Sequence, residues 1–177
     1  MDLRTKRTKH NIINAFIELR SRKPLEKITI KELAEIALIN KATFYSHYKD
    51  IYDLSEQLEK EAIDMLLKNL PHPDSLITNP KQATTELALA FMSQGKLVNI
   101  LFSDSRSSLL INGIERGLKE KIYAAYPEYQ NNLEWDILLS VLIQGCFHAF
   151  VTHANDTDIH HLIEITGNIN ERILTAK

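Results

Sequence analysis

Cysteine, glycine, proline and tryptophan are all scarce in this chain. Its 177 residues include one cysteine, five glycines, five prolines and one tryptophan. A lone cysteine, Cys146, cannot close an internal disulfide, which fits a reducing compartment. With so few turn-formers and long segments apolar at helical spacing, the chain is expected to be all-α. No glycine-rich phosphate loop, nucleophile elbow or metal-ligand spacing occurs, so neither an enzyme nor a bound cofactor or metal is expected. There is also no run of about 18 apolar residues and no apolar core behind the basic N-terminus. Neither a membrane span nor a secretory signal is therefore expected, and the protein is read as cytoplasmic.

What is present is unevenly distributed. Residues 1–49 hold eleven Lys or Arg against five Asp or Glu, whereas the rest hold ten against eighteen. A basic head on an acidic body is the footprint expected if only the head meets a polyanion; a solvated basic helix is the bland alternative. A first helix is predicted from about Leu3 to Arg22, ended by Pro24. Arg4, Lys6, Arg7 and Lys9 cluster at its start, where they oppose the helix macrodipole. Thr29 to Glu32 has the form of a capping box opening a second short helix. Leu38-Ile39-Asn40 reads as a turn, with Asn40 the N-cap of a third helix over about Lys41 to His47. Phe44 and Tyr48 should point inward there, leaving a polar and aromatic outer face of the kind that enters a DNA major groove. Asp50 and Asp53 cap a long fourth helix to about Leu70. Glu59 and Glu61 read as solvated charge on it.

The runs Lys23-Pro24-Leu25-Glu26-Lys27-Ile28-Thr29 and Asn40-Lys41-Ala42-Thr43-Phe44-Tyr45-Ser46-His47-Tyr48-Lys49-Asp50 resemble the tetracycline-repressor (TetR) family of bacterial regulators. The likeness covers about residues 5–65. It implies a three-helix DNA-binding domain at 1–49, with the helix-turn-helix at about 29–48. A connecting helix at 50–70 and a helical regulatory and dimerisation domain at 71–177 would follow. It further implies a homodimer formed through the last two helices, an inverted-repeat operator on double-stranded DNA, and a small-molecule effector that releases a repressor. Thr29, Lys41, Ala42, Thr43, Tyr45, Ser46, His47 and Lys49 are the DNA-binding candidates. Lys41 could reach guanine acceptors or the backbone, Thr43 a base edge or a phosphate, and Ala42 a thymine methyl. Tyr45, His47 and Lys49, with Thr29 as a further candidate, are assigned to phosphate. Two departures stand out: Leu38 where many members carry glycine, and Ile51 where many carry a lysine. They favour an alternative reading, a ligand- or protein-binding regulator that recruits another protein.

Pro71-His72-Pro73-Asp74 and the stretch to Pro80 read as a linker, followed by helices near 81–95, 96–102, 105–126, 132–154 and 158–175. In the fourth of these, Asp136, Ser140, Gln144, His148 and Thr152 form a polar stripe on an otherwise apolar helix. Ser140, Gln144 and His148 are candidates for a ligand pocket or dimer seam, with solvent exposure as the alternative. His148, His153, His160, His161 and Cys146, with Asp156 and Asp158, lack the spacing of a helical metal site. Gly145 and Gly167 are candidate points of close helix approach.

Overall fold

The computed structural model describes residues 3–68, 75–103, 106–153 and 157–175, and among them every regular element is helical. The helices are α1 (Leu3–Arg20), α2 (Ile30–Ile36), α3 (Lys41–Tyr45), α4 (Ile51–Lys68), α5 (Ser75–Thr78), α6 (Pro80–Leu101), α7 (Ser107–Ala125), α8 (Leu133–His153) and α9 (Ile159–Thr175). Single 3-10 turns stand at Leu25–Lys27 and Pro127–Tyr129. The chain divides into two compact units, one of Met1–Ala62 with Lys96–Ser107 and one of Ile63–Gly95 with Ser108–Lys177. The first unit thus combines the N-terminal helices with the later segment Lys96–Ser107.

Several predicted boundaries move for identifiable reasons. α6 is one helix where two were predicted, because Gly95 weakens a helix interior by only about 1 kcal/mol and does not break it. Pro80 opens that helix from its first position, where a proline's missing N–H costs nothing. α5 occupies part of the stretch read as linker. Residues 69–74, which hold Leu70 and the Pro71–Asp74 run, lie outside the described residues. α1 stops at Arg20, two residues before the predicted end.

In the first unit, α1, α2, α3 and the start of α4 close over Ile12, Phe16, Leu33, Phe44 and Leu54, all buried, and Val98, Leu101 and Phe102 are buried from the later segment. Arg20 is buried as well; its guanidinium donates to the carbonyls of Lys23 (3.3 Å) and Ser103 (3.2 Å). Glu59 corrects an expectation. It is only 5 % exposed rather than solvated, and takes a bidentate pair of bonds from Arg106 Nε and Nη2, both at 2.6 Å, plus one from Ser55 Oγ at 2.6 Å. The bonds to Glu59 hold the Arg106 guanidinium above its ordinary pKa, against the opposing effect of burial. Glu59 shares the buried stripe of α4 with Ile51, Leu54, Ser55, Leu58 and Ala62, so its position was readable from helical spacing. Glu61, by contrast, is exposed and lies 3.6 Å from Lys9.

In the second unit, Leu110, Ile114, Leu118 and Ile122 of α7 are buried, as are Leu139, Leu142 and Ile143 of α8 and Leu162 and Ile163 of α9. Gly113 and Gly117, one turn apart on α7, lie where added Cβ atoms would strike the side chains of Ile63 and Leu67. They let α7 approach the C-terminal half of α4 closely. Gly167 is likewise a close approach, to Lys81, whereas Gly145 has open space around it. Trp135 stacks on Tyr129 with ring centroids 4.1 Å apart, and Tyr129 stacks on Tyr126 at 5.5 Å. α8 is long and apolar enough by length and composition to cross a membrane, a property that the search for an uninterrupted apolar run passes over. One side of it carries the polar residues described below.

The turn from α2 to α3 is a Schellman closure: Ile39 N donates to Ala34 O (3.0 Å) and Leu38 N to Glu35 O (3.3 Å). That geometry puts the residue after the helix cap in the left-handed region, and Leu38 sits there at φ 55°, 89 % exposed. A Cβ at this conformation costs roughly 1 kcal/mol. With no packing to lose, Leu38→Gly is expected to raise stability by about 0.5–1 kcal/mol, read as a higher denaturant midpoint. A lower midpoint would show that the turn is unstrained.

Candidate nucleic-acid interface

Three short-range caps shape the surface that α2, α3 and the start of α4 present. At α2, Thr29 Oγ1 accepts from Glu32 N (3.3 Å), and the Glu32 carboxylate takes bonds from Thr29 N (3.2 Å) and Thr29 Oγ1 (2.8 Å). Lys23 Nζ also bonds Glu32 at 2.7 Å. These contacts, the Lys23 bond foremost and then that of Thr29, hold the Glu32 carboxyl below its usual range. At α3, Asn40 Oδ1 accepts from both Thr43 N (2.7 Å) and Thr43 Oγ1 (2.8 Å). At α4, Asp50 Oδ1 accepts from Asp53 N (2.8 Å), and Asp53 Oδ2 reaches back to Lys49 N (2.9 Å). The Lys49 amide, then Gln57, lowers the Asp53 carboxyl below its ordinary pKa. All three caps fall where the sequence places them.

The eight candidates separate by environment. Lys41, Ala42, Tyr45, Ser46 and Lys49 are exposed, Tyr45 by 56 %. Thr43 and His47 are half-buried. Thr29 is exposed, but its hydroxyl and amide are engaged by Glu32, whose charge already occupies that helix start. Ser46 Oγ donates to Thr43 O at 2.7 Å. Phe44 is fully buried and Tyr48 3 % exposed, as the inward pair predicted; their rings lie 5.8 Å apart. Ile51 is buried in the core, so no cation stands at that position.

The stripe on α8 meets its own chain. Lys119 Nζ donates to Asp136 Oδ1 (2.7 Å) and Ser140 Oγ (2.7 Å) and lies 3.0 Å from Glu115 Oε1. Ser140 Oγ donates to Glu115 (2.6 Å), Gln144 Nε2 donates to the other Glu115 oxygen, and Tyr123 Oη donates to Asp136 (2.9 Å). Burial works against the charges of Lys119 and Glu115; it is outweighed for Glu115 by the hydrogen bonds from Gln144, Ser140 and Lys119, and for Lys119 by those to Asp136 and Glu115. Lys119 is therefore raised and Glu115 lowered. An open groove of about 440 Å³ beside this network is lined by Asn112, Glu115, Arg116, Lys119, Glu120 and Tyr123. Ser140 and Gln144 thus bind α7 directly, while His148 is exposed. The sequence reading missed Glu115 and Lys119, although their spacing, four residues apart on one helix, is an ion-pair signal. His153, His160 and His161 are exposed, and Cys146 Sγ lies 2.9 Å from Asn170 Nδ2. Burial pushes the Cys146 thiol up. Asp156 lies outside the described residues.

Tyr48 carries a testable oddity. Its Oη is buried without a hydrogen-bond partner, and burial, with lesser repulsion from Glu61 and Asp53, pushes its pKa up to about 12. The folded state holds the proton more tightly than the unfolded chain, whose tyrosines ionise near 10. Stability from this group is complete below about pH 10 and lost as pH climbs towards 12. Tyr48→Phe should equal or exceed the parent in stability at pH 7 and flatten the alkaline unfolding curve. A clear loss at pH 7 would reveal a partner for the hydroxyl.

No known family model matches the chain, and no curated protein is significantly similar to it.

Proposed function

We propose that this chain is a sequence-specific DNA-binding transcriptional regulator of the TetR type, a ligand-responsive repressor that binds an inverted repeat as a homodimer. The observation that carries this reading is α3. A five-residue helix, capped by Asn40 and anchored below by Phe44 and Tyr48, offers Lys41, Ala42, Tyr45 and Ser46 to solvent from the basic part of the chain. In this reading α2 and α3 form a helix-turn-helix whose second helix enters the major groove, with Tyr45, His47 and Lys49 on phosphates. The effector would act through unequal affinity for two conformations, and can shift DNA binding no further than that inequality allows.

The dimer would form through α8 and α9. Leu133, Ile137 and Val141 on α8 and Ile165, Ile169 and Ile173 on α9 are all exposed at four-residue spacing. Gly145 continues the α8 series, and its open surroundings leave room for another helix. Apolar rows of this length on paired helices are normally covered by a partner. Val141→Asp is expected to convert a dimer into folded monomers in sedimentation velocity. A parent protein already monomeric at micromolar concentration would remove the seam.

The function itself is tested by selecting random duplexes with the purified protein at two salt concentrations. The expected product is an inverted repeat whose enrichment falls with salt. Tyr45→Ala should then weaken binding across all sequences alike. The strained Leu38 and the core position of Ile51 favour a second reading, a ligand- or protein-binding regulator. A folded dimer that enriches no duplex even at low salt would favour it over ours.

A further inference from the structure

A hydroxyl group has one proton to give and two lone pairs to accept with. On α3 both hydroxyl protons are already committed. Thr43 Oγ1 donates to Asn40 Oδ1, an atom that also accepts from Thr43 N and so can only be the amide oxygen. Ser46 Oγ donates to the Thr43 carbonyl, which has no proton of its own. While these bonds are kept, the two oxygens meet a ligand as acceptors. α3 also carries two methyl groups on residues open to solvent, that of the exposed Ala42 and that of the half-buried Thr43. No carboxylate lies between Lys41 and Lys49. The side-chain donors near the surface are Lys41 and the Asn40 amide at the helix start, and Tyr45, His47 and Lys49, which the reading above sends to phosphate.

Base pairs differ in what they show to such a surface. A G·C pair offers the N7 and O6 acceptors of guanine and the amino donor of cytosine, and no methyl group. An A·T pair offers the adenine amino donor together with the thymine methyl, beside the N7 and O4 acceptors. Protein acceptors suit the amino group of either pair, and only the A·T pair also answers the methyl groups. We infer that the middle of α3 reads A·T pairs, through contact of Ala42 and Thr43 with thymine methyls and acceptance of adenine amino protons by the Thr43 and Ser46 oxygens. Guanine is left to Lys41 at the helix start. This rests on the reading that α3 enters the major groove.

Uracil supplies a clean test, since it pairs as thymine does and lacks only the 5-methyl group. The full-length protein is titrated against its selected duplex with each thymine replaced in turn by uracil. At one or more thymines per half-site, affinity should fall about fourfold, the value of one buried methyl. Thr43→Ser keeps the hydroxyl that Asn40 caps and removes only the methyl, and Ala42→Gly removes the other. At the contacted thymine, one of these variants should show no uracil penalty. Equal binding of every uracil-substituted duplex, or a half-site in which G·C pairs alone are required, would overturn the inference while leaving sequence-specific binding intact. Failure to enrich any duplex would overturn both.

Discussion

A helix of five residues cannot hold itself together, and the exposed surface of the first unit depends on one that is held from outside. α3 has too few turns to repay the cost of nucleation from its own backbone bonds. The Asn40 side chain caps it by accepting from the Thr43 amide, and its inner side is fixed by Phe44 in the core. A cap of this kind contributes about 1 kcal/mol, a buried phenylalanine several times that. The outer residues are therefore positioned by the cap at one end of α3 and by the core beneath it. The same logic governs α2 and α4, each opened by an acid three residues into the helix that turns back on the preceding amide.

α4 is secured by different means along its length. In the first unit, Glu59 lies in a buried bidentate pair with Arg106. Such pairs add little net stability over an apolar replacement, because two charges must be stripped of water. Losing one partner, however, strands the other, so the pair enforces a single register between α4 and Arg106, the residue just before α7. In the second unit the device is the reverse: Gly113 and Gly117 withdraw side chains so that Ile63 and Leu67 can enter. One half of the helix is held by charge and the other by missing volume.

What could be read from the sequence tracks the distance between partners. The three caps join residues three or four apart, and all were visible as local motifs. The inward pair Phe44 and Tyr48 was equally legible, since helical spacing decides it. The all-helical class followed from the same periodicity. The partner of Glu59 lies 47 residues away, and nothing local announces it. The α8 stripe shows the divide within one feature: its polarity was plain, yet its answer in Glu115 and Lys119 needed the packing of α7 against α8. The continuity of α6 was missed because a glycine that merely weakens a helix looks, in sequence, like one that ends it.

The stacked pair of Trp135 and Tyr129 has an optical consequence. Trp135 is the chain's sole tryptophan, and it stands at the start of α8 in the second unit. The first unit holds Tyr45, Tyr48 and Tyr52 and no tryptophan at all. Emission excited at the red edge of protein absorption thus comes from the second unit alone, whereas far-ultraviolet dichroism sums the helices of both. The molecule carries a built-in reporter that can tell the melting of one unit from the melting of the other without a label.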